Sequence, residues 1–120
     1  MINHAGSERL FRWLTWACVA LLAILSLTPR DYMVRTGASE QLEHFVAYLG
    51  TGAIASIGYG RRVAAFLIAG PLCGYAALLE IGQIWVPGRH SRVIDFAASA
   101  AGAAAGVVLI RLWRGRQEPG

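Results

Sequence analysis

The stretch that decides the fold is Glu80 to Gly106, EIGQIWVPGRHSRVIDFAASAAGAAAG. It contains the end of one apolar segment, a Pro87-Gly88-Arg89 turn, and the start of a second segment rich in Ala and Gly. Glu80 and Gln83 close the first segment, and Asp95 opens the second. A connection of about six residues is short enough to make the two segments antiparallel helical neighbours. Asp95, Ser99, Gly102 and Gly106 fall on one stripe of the second helix. Gly102-Ala-Ala-Ala-Gly106 is a small-xxx-small motif, which lets another helix approach closely.

Working outward, the same alternation of apolar blocks and short charged links continues through the chain. Four segments are long enough to cross a bilayer, at about 11–28, 40–59, 63–86 and 93–113. The pattern predicts an all-α polytopic membrane protein, a bundle of four transmembrane helices within one domain covering 1–120. Composition agrees: 56% of residues are hydrophobic and only 15% charged, well short of the roughly 25% of a water-facing domain. The first block has a basic start, as a secretory signal peptide has, but no small-x-small cleavage site follows Leu27, and further apolar blocks do, which favours an anchor. Ser39 is the expected N-cap of the second helix, and Ser91 or Arg92 caps the fourth. Pro71 lies inside the third, where a membrane helix tolerates it if neighbours satisfy the freed carbonyl. Cys18 and Cys73 lie in apolar runs and suggest neither a metal nor a redox motif.

All eleven basic residues are Arg, and they sit between the apolar blocks. That placement fits a charged membrane surface better than nucleic acid, which is not an expected partner. With four spans, seven arginines (9, 12, 61, 62, 111, 114 and 116) share the side of the termini, against four (30, 35, 89 and 92) on the other. The basic excess faces the cytoplasm, so both termini are expected there. His44, Glu80, Arg89 and Asp95 then lie toward the outer face.

Those residues form the candidate site. Glu80 stands seven positions before Pro87, about 10 Å below that helix end at 1.5 Å per residue. An intramembrane carboxylate costs at least about 2.5–3.5 kcal/mol on insertion scales and needs a proton, a partner or a wet cavity. Gln83 lies at i+3 on the same face. Asp95 is in the first turn of its helix, near the positive dipole end. His44 supplies a third corner, with Gln41, Tyr48, Thr51 and Ala55 along its face. Ser99 extends the Asp95 stripe, and Arg89 and Arg92 are candidate counterions in the turn above.

Four motifs, in this order and spacing, resemble the VanZ-like family of integral membrane proteins: HFVAY at His44–Tyr48, EIGQ at Glu80–Gln83, PGRHS at Pro87–Ser91 and DFAASAAG at Asp95–Gly102. The resemblance covers about 27–110. It departs from the family pattern at Glu40 and Gln41, where the family often has an Asp-Lys pair, and at Ser99, where it often has Asn. The namesake is linked to low-level resistance to the glycopeptide teicoplanin. The resemblance therefore implies a bacterial inner-membrane protein acting near the outer face, on an amphiphilic or lipid-linked envelope ligand.

Several uses of the polar cluster remain open at this point. Arg89 and Arg92 suit the anionic head of an amphiphile, with His44, Glu80, Gln83, Asp95 and Ser99 lining the pocket. An enzyme would use His44, Glu80 and Asp95 as acid and base or to hold a metal, although no dense ligand motif is present and no metal or cofactor is expected. Proton-linked transport would use buried Glu and His. A structural accessory protein would need the cluster only to join its helices. The oligomeric state is left undetermined.

Overall fold

The chain is described by a computed structural model that covers residues 4–28, 39–60, 63–88 and 92–117. Within them lie four helices and no strand: α1 (His4–Leu27), α2 (Glu40–Tyr59), α3 (Phe66–Gly82) and α4 (Val93–Gln117), with a 3-10 turn at Gln83–Trp85. Pro29, the arginines at 30, 35, 61, 62 and 89, and Ser91 lie outside the described residues.

The all-α expectation holds, and α2 has the expected bounds. Ser39 caps it as predicted, accepting a hydrogen bond from the Leu42 N–H at 3.2 Å. The other three boundaries differ. α1 begins before residue 11 and α4 runs past Trp113, because a helix need not stop where its apolar stretch stops: charged turns continue into water. α3 is shorter than 63–86, since the backbone tightens at Gln83 and turns at Gly88, whose φ of 76° suits glycine.

Contacts between the helices define their directions. α1 and α2 are antiparallel, since Arg12 meets Gly58. α1 and α3 are parallel: Val19 meets Tyr75, and Ser26 meets Gln83. α3 and α4 are antiparallel as predicted, with Glu80 near Arg92 and Val63 near Arg111. α2 and α4 are parallel, with Gln41 at Asp95 and Ser56 at Arg114. The chain thus runs up, down, up and down, and α2 touches all three other helices.

Among the described residues, α1, α3 with its 3-10 turn, and α4 are long and apolar enough to cross a membrane by length and composition, and α2 is not. α2 falls short because it opens with Glu40, Gln41, Glu43 and His44 and carries three glycines. Its position explains how it manages. α1, α3 and α4 each turn several large apolar side chains outward, among them Trp13, Leu78 and Leu112, whereas α2 exposes only Leu42 and Val46 among the described residues. Surface this apolar is far beyond what a water-soluble monomer shows. The inner residues of α2, Tyr48, Thr51, Ala55 and Ser56, are buried.

The α2–α4 contact is backbone on backbone. A Cβ at Gly102 would strike the Phe45 carbonyl, one at Gly106 the Leu49 carbonyl, and one at Gly52 would lie 2.6 Å from the Ala103 oxygen. The small-xxx-small motif is therefore occupied by this chain's own second helix, and the face of α2 that carries Phe45, Leu49 and Gly52 is packed as well. Gly102→Ala and Gly106→Ala should each lower stability by about 1–3 kcal/mol through overpacking. Gly50→Ala and Gly74→Ala, with nothing within 4 Å of the new methyl, should be neutral or stabilising by up to about 1 kcal/mol. Thermal unfolding of the four variants in detergent checks the contrast.

Candidate functional site

The up-down-up-down order brings the C-terminal ends of α1 and α3 to the N-terminal ends of α2 and α4. Side chains from these ends form a chain of polar ties across all four helices.

Glu80 lies in the last turn of α3, 7% exposed, rather than seven residues inside a longer helix. Its Oε1 is 3.7 Å from Nε2 of His44 on α2, the separation of an ion pair when the imidazole is protonated. Its Oε2 accepts a hydrogen bond from the backbone N–H of Arg92 at 3.2 Å. Arg92 immediately precedes α4, so Glu80 sits at the positive end of that helix, a favourable place for a carboxylate. Arg92 contributes its amide to Glu80, not the guanidinium predicted from the sequence, and the residue itself is exposed. Arg89 lies outside the described residues.

Asp95 is 2% exposed in the first turn of α4. Its Oδ1 accepts from Nε2 of Gln41 on α2 at 2.9 Å. Gln41 and His44 stand at i and i+3 on α2, so neighbouring positions on one face hold the two carboxylates. Ser99 is 1% exposed and donates to the Asp95 carbonyl at 3.0 Å, a bond within its own helix. Gln83 turns away from this pair: its Nε2 donates to the Ser26 carbonyl at the end of α1, 2.9 Å away. Tyr48, one turn along α2 from His44, is 3% exposed and has Tyr75 and Glu80 as electrostatic neighbours. The Tyr75 hydroxyl donates to the Val19 carbonyl at 2.6 Å.

Of the predicted residues, the structure thus joins His44 to Glu80, ties Asp95 beside them through Gln41, and leaves Gln83 and Ser99 bonded elsewhere. Gln41 was not among the predicted site residues. Its signal was the i, i+3 spacing to His44, outweighed by the absence of a basic residue there. No sequence signal identifies Ser26 or Val19, which act through backbone carbonyls. Among the described residues, no group of three or more His, Cys, Asp or Glu side chains is placed to hold a metal ion.

The opposite end is basic. Arg114 donates through Nη1 to the Ser56 carbonyl at 2.9 Å and through Nη2 to the Ile57 carbonyl at 2.8 Å. Arg12 reaches the Gly58 carbonyl at 3.3 Å, and Arg111 the Val63 carbonyl at 2.6 Å. Arginines from α1 and α4 therefore bond carbonyls of the last turn of α2, those of Ile57 and Gly58 and that of Ser56, which also accepts the Gly60 N–H.

No family model matches this chain, and no curated protein or solved structure matches it either.

The tie between Gln41 and Asp95 is directly testable. Gln41→Leu leaves a nearly sealed carboxylate without its amide donor and should cost about 1–3 kcal/mol. Asp95→Asn in the Gln41→Leu background should recover part of that loss, since a neutral amide is cheaper to leave unpaired than a carboxylate. Chemical or thermal unfolding in detergent measures both.

Proposed function

We propose that this protein is a VanZ-like bacterial inner-membrane protein that binds an amphiphilic or lipid-linked envelope ligand near the outer face. In this reading all four helices cross the bilayer, and both termini are cytoplasmic. Support for the fourth span comes from α2 itself. Its 20 residues extend about 30 Å at 1.5 Å per residue, the thickness of the hydrocarbon core. It lies alongside α1, α3 and α4, each of which is apolar enough to span. Support for the orientation comes from charge: Arg9, Arg12, Arg111, Arg114 and Arg116 gather at the end of the termini, while Glu43, Glu80 and Asp95 stand at the other with Arg92.

The observation that carries the ligand reading is the partial opening of the His44–Glu80 pair beside an exposed Arg92. Most of the cluster is sealed: Gln83, Asp95 and Ser99 are each 3% exposed or less. The His44 side chain is 19% exposed, and Arg92 is open to its surroundings. The Glu80 carboxylate already engages His44 and the Arg92 amide, so the Arg92 guanidinium is the group presented to a negative head. Ile84, Trp85, Val93 and Ile94 flank it with exposed apolar surface. A head group at His44 and Arg92 with its chain along that flank matches an amphiphile. The four motifs quoted above link this end of the bundle to the VanZ-like pattern, and with it to glycopeptide susceptibility.

Nanodiscs doped with a polyprenyl phosphate test the ligand, with phosphatidylcholine alone as control. His44→Ala and Arg92→Ala should each weaken retention of the phosphate lipid by about tenfold, the loss of one charge-assisted hydrogen bond. The same variants should abolish any protection against teicoplanin that the wild-type chain gives a bacterial host. Wild-type retention and protection in both variants, inserted and folded, would remove the reading. Topology has its own check: a fluorescent protein fused at the C-terminus should glow, and alkaline phosphatase fused after Gly88 should be active. The reverse pattern would invert the orientation.

A further inference from the structure

The basic end of the bundle carries a second arrangement that the outer-face reading does not use. Arg9, Arg12, Trp13 and Trp16 stand at i, i+3, i+4 and i+7 on α1, which places them on one face. Arg9, Trp13 and Trp16 are exposed, and Arg12 is half-buried. This face meets the C-terminal end of α2 at Tyr59. The Trp16 indole N–H donates to the Tyr59 hydroxyl at 2.9 Å, and the Arg12 guanidinium stands over the Tyr59 ring, 5.8 Å from its centroid. One Arg12 nitrogen also bonds the Gly58 carbonyl.

Each of these contacts leaves binding capacity directed at the rim. Arg12 has five N–H donors in a planar fork, and the Gly58 bond uses one of them. Stacking on Tyr59 and bonding to Gly58 hold the fork in place, so little freedom is lost when it binds an anion. Tyr59 accepts from Trp16 and keeps its own O–H to donate. Arg9, one turn outward, adds a second unit charge. The acid described at this end, Glu8, is buried, whereas Arg9 and Arg116 are exposed. Trp13 and Trp16 are the side chains that settle at the depth of lipid head groups.

We infer that the rim formed by Arg9, Arg12, Trp16 and Tyr59 binds the phosphate of an anionic phospholipid of the bilayer itself, with the acyl chains lying along the exposed apolar face of α1. Charge complementarity selects the head group. The chain-facing surface is already present in Leu21, Ile24 and Leu25, which are about half exposed or more. The inference rests on the reading that α1 crosses the membrane, and it is independent of any ligand at the opposite end.

Reconstitution into nanodiscs of phosphatidylcholine with a minor fraction of phosphatidylglycerol tests it, with retained lipids counted by native mass spectrometry. The wild-type chain should retain phosphatidylglycerol in preference to phosphatidylcholine. Arg12→Gln should reduce that preference about fivefold, the weight of one basic residue near an anionic surface. Arg9→Gln, on an exposed position, should reduce it by a smaller factor without disturbing the fold. Tyr59→Phe keeps the ring beneath Arg12 and should still lower the preference. No preference in the wild-type chain, or an unchanged one in both arginine variants, would overturn the site. Displacement of the lipid by millimolar inorganic phosphate would overturn its assignment to a lipid. A chain that fails to enter the discs would instead remove the membrane reading, and this inference with it.

Discussion

The close approach of α2 and α4 is the constraint on which the remaining structure depends. Gly52, Gly102 and Gly106 let the two backbones meet with no side chain between them. That contact sets a parallel register, and the register then places Gln41 at Asp95 at one end and Arg114 at Ser56 and Ile57 at the other. It also explains why α2 can lack the long apolar stretch that α1, α3 and α4 each carry. Its inner residues are covered by protein, so the composition that lipid demands of the outer helices is not demanded of it. A shift of one residue along this interface would put a Cβ where a backbone now lies.

Parallel packing at such short range has an electrostatic cost, because like ends of two helix dipoles lie side by side. The charges of the chain offset it at both ends. At the N-terminal ends of α2 and α4 stand Glu80 and Asp95, one accepting from the Arg92 amide and the other within the first turn. At the C-terminal end of α2 stand Arg12 and Arg114, bonded to the Ser56, Ile57 and Gly58 carbonyls. Arg12 and Arg114 thus act as helix caps, and the carboxylates of the candidate site double as N-terminal charges.

Much of this could be read in the sequence, and the remainder has identifiable reasons. Helix class, the α3–α4 hairpin, the Ser39 cap and the grouping of Gln41, His44 and Tyr48 on one face of α2 follow from periodicity and local chemistry, which act within one turn or one link. The destination of Gly102 and Gly106 does not, because a small-residue stripe says that something approaches and not what. The i, i+3 spacing groups Gln83 with Glu80, but the 3-10 turn at Gln83 changes the angle per residue and directs it to Ser26. The partners of Gln83, Tyr75, Arg111 and Arg114 are backbone carbonyls, which every residue possesses, so no sequence pattern distinguishes them. The sequence points to Arg92 acting through its charge, whereas it acts on Glu80 through its amide, a role any residue but proline could fill.

A bundle in lipid lacks the hydrophobic drive between helices that a bundle in water has, because lipid tails are as apolar as leucine. Polar ties and small residues must then supply helix association. Glu80, Gln83, Asp95 and Ser99 are therefore accounted for as structure before any ligand is invoked, and burial alone does not make them a site. Exposure separates the two roles. Asp95 and Ser99 are sealed at 2% and 1%, and their bonds stay within the protein. The His44 side chain is 19% exposed while it faces the Glu80 carboxylate, and Arg92, which gives Glu80 its amide, is exposed. A group that only joined helices would gain by being covered, since water and lipid head groups compete for its hydrogen bonds. The partial exposure of His44 beside an exposed Arg92 is thus the feature that helix association does not by itself require.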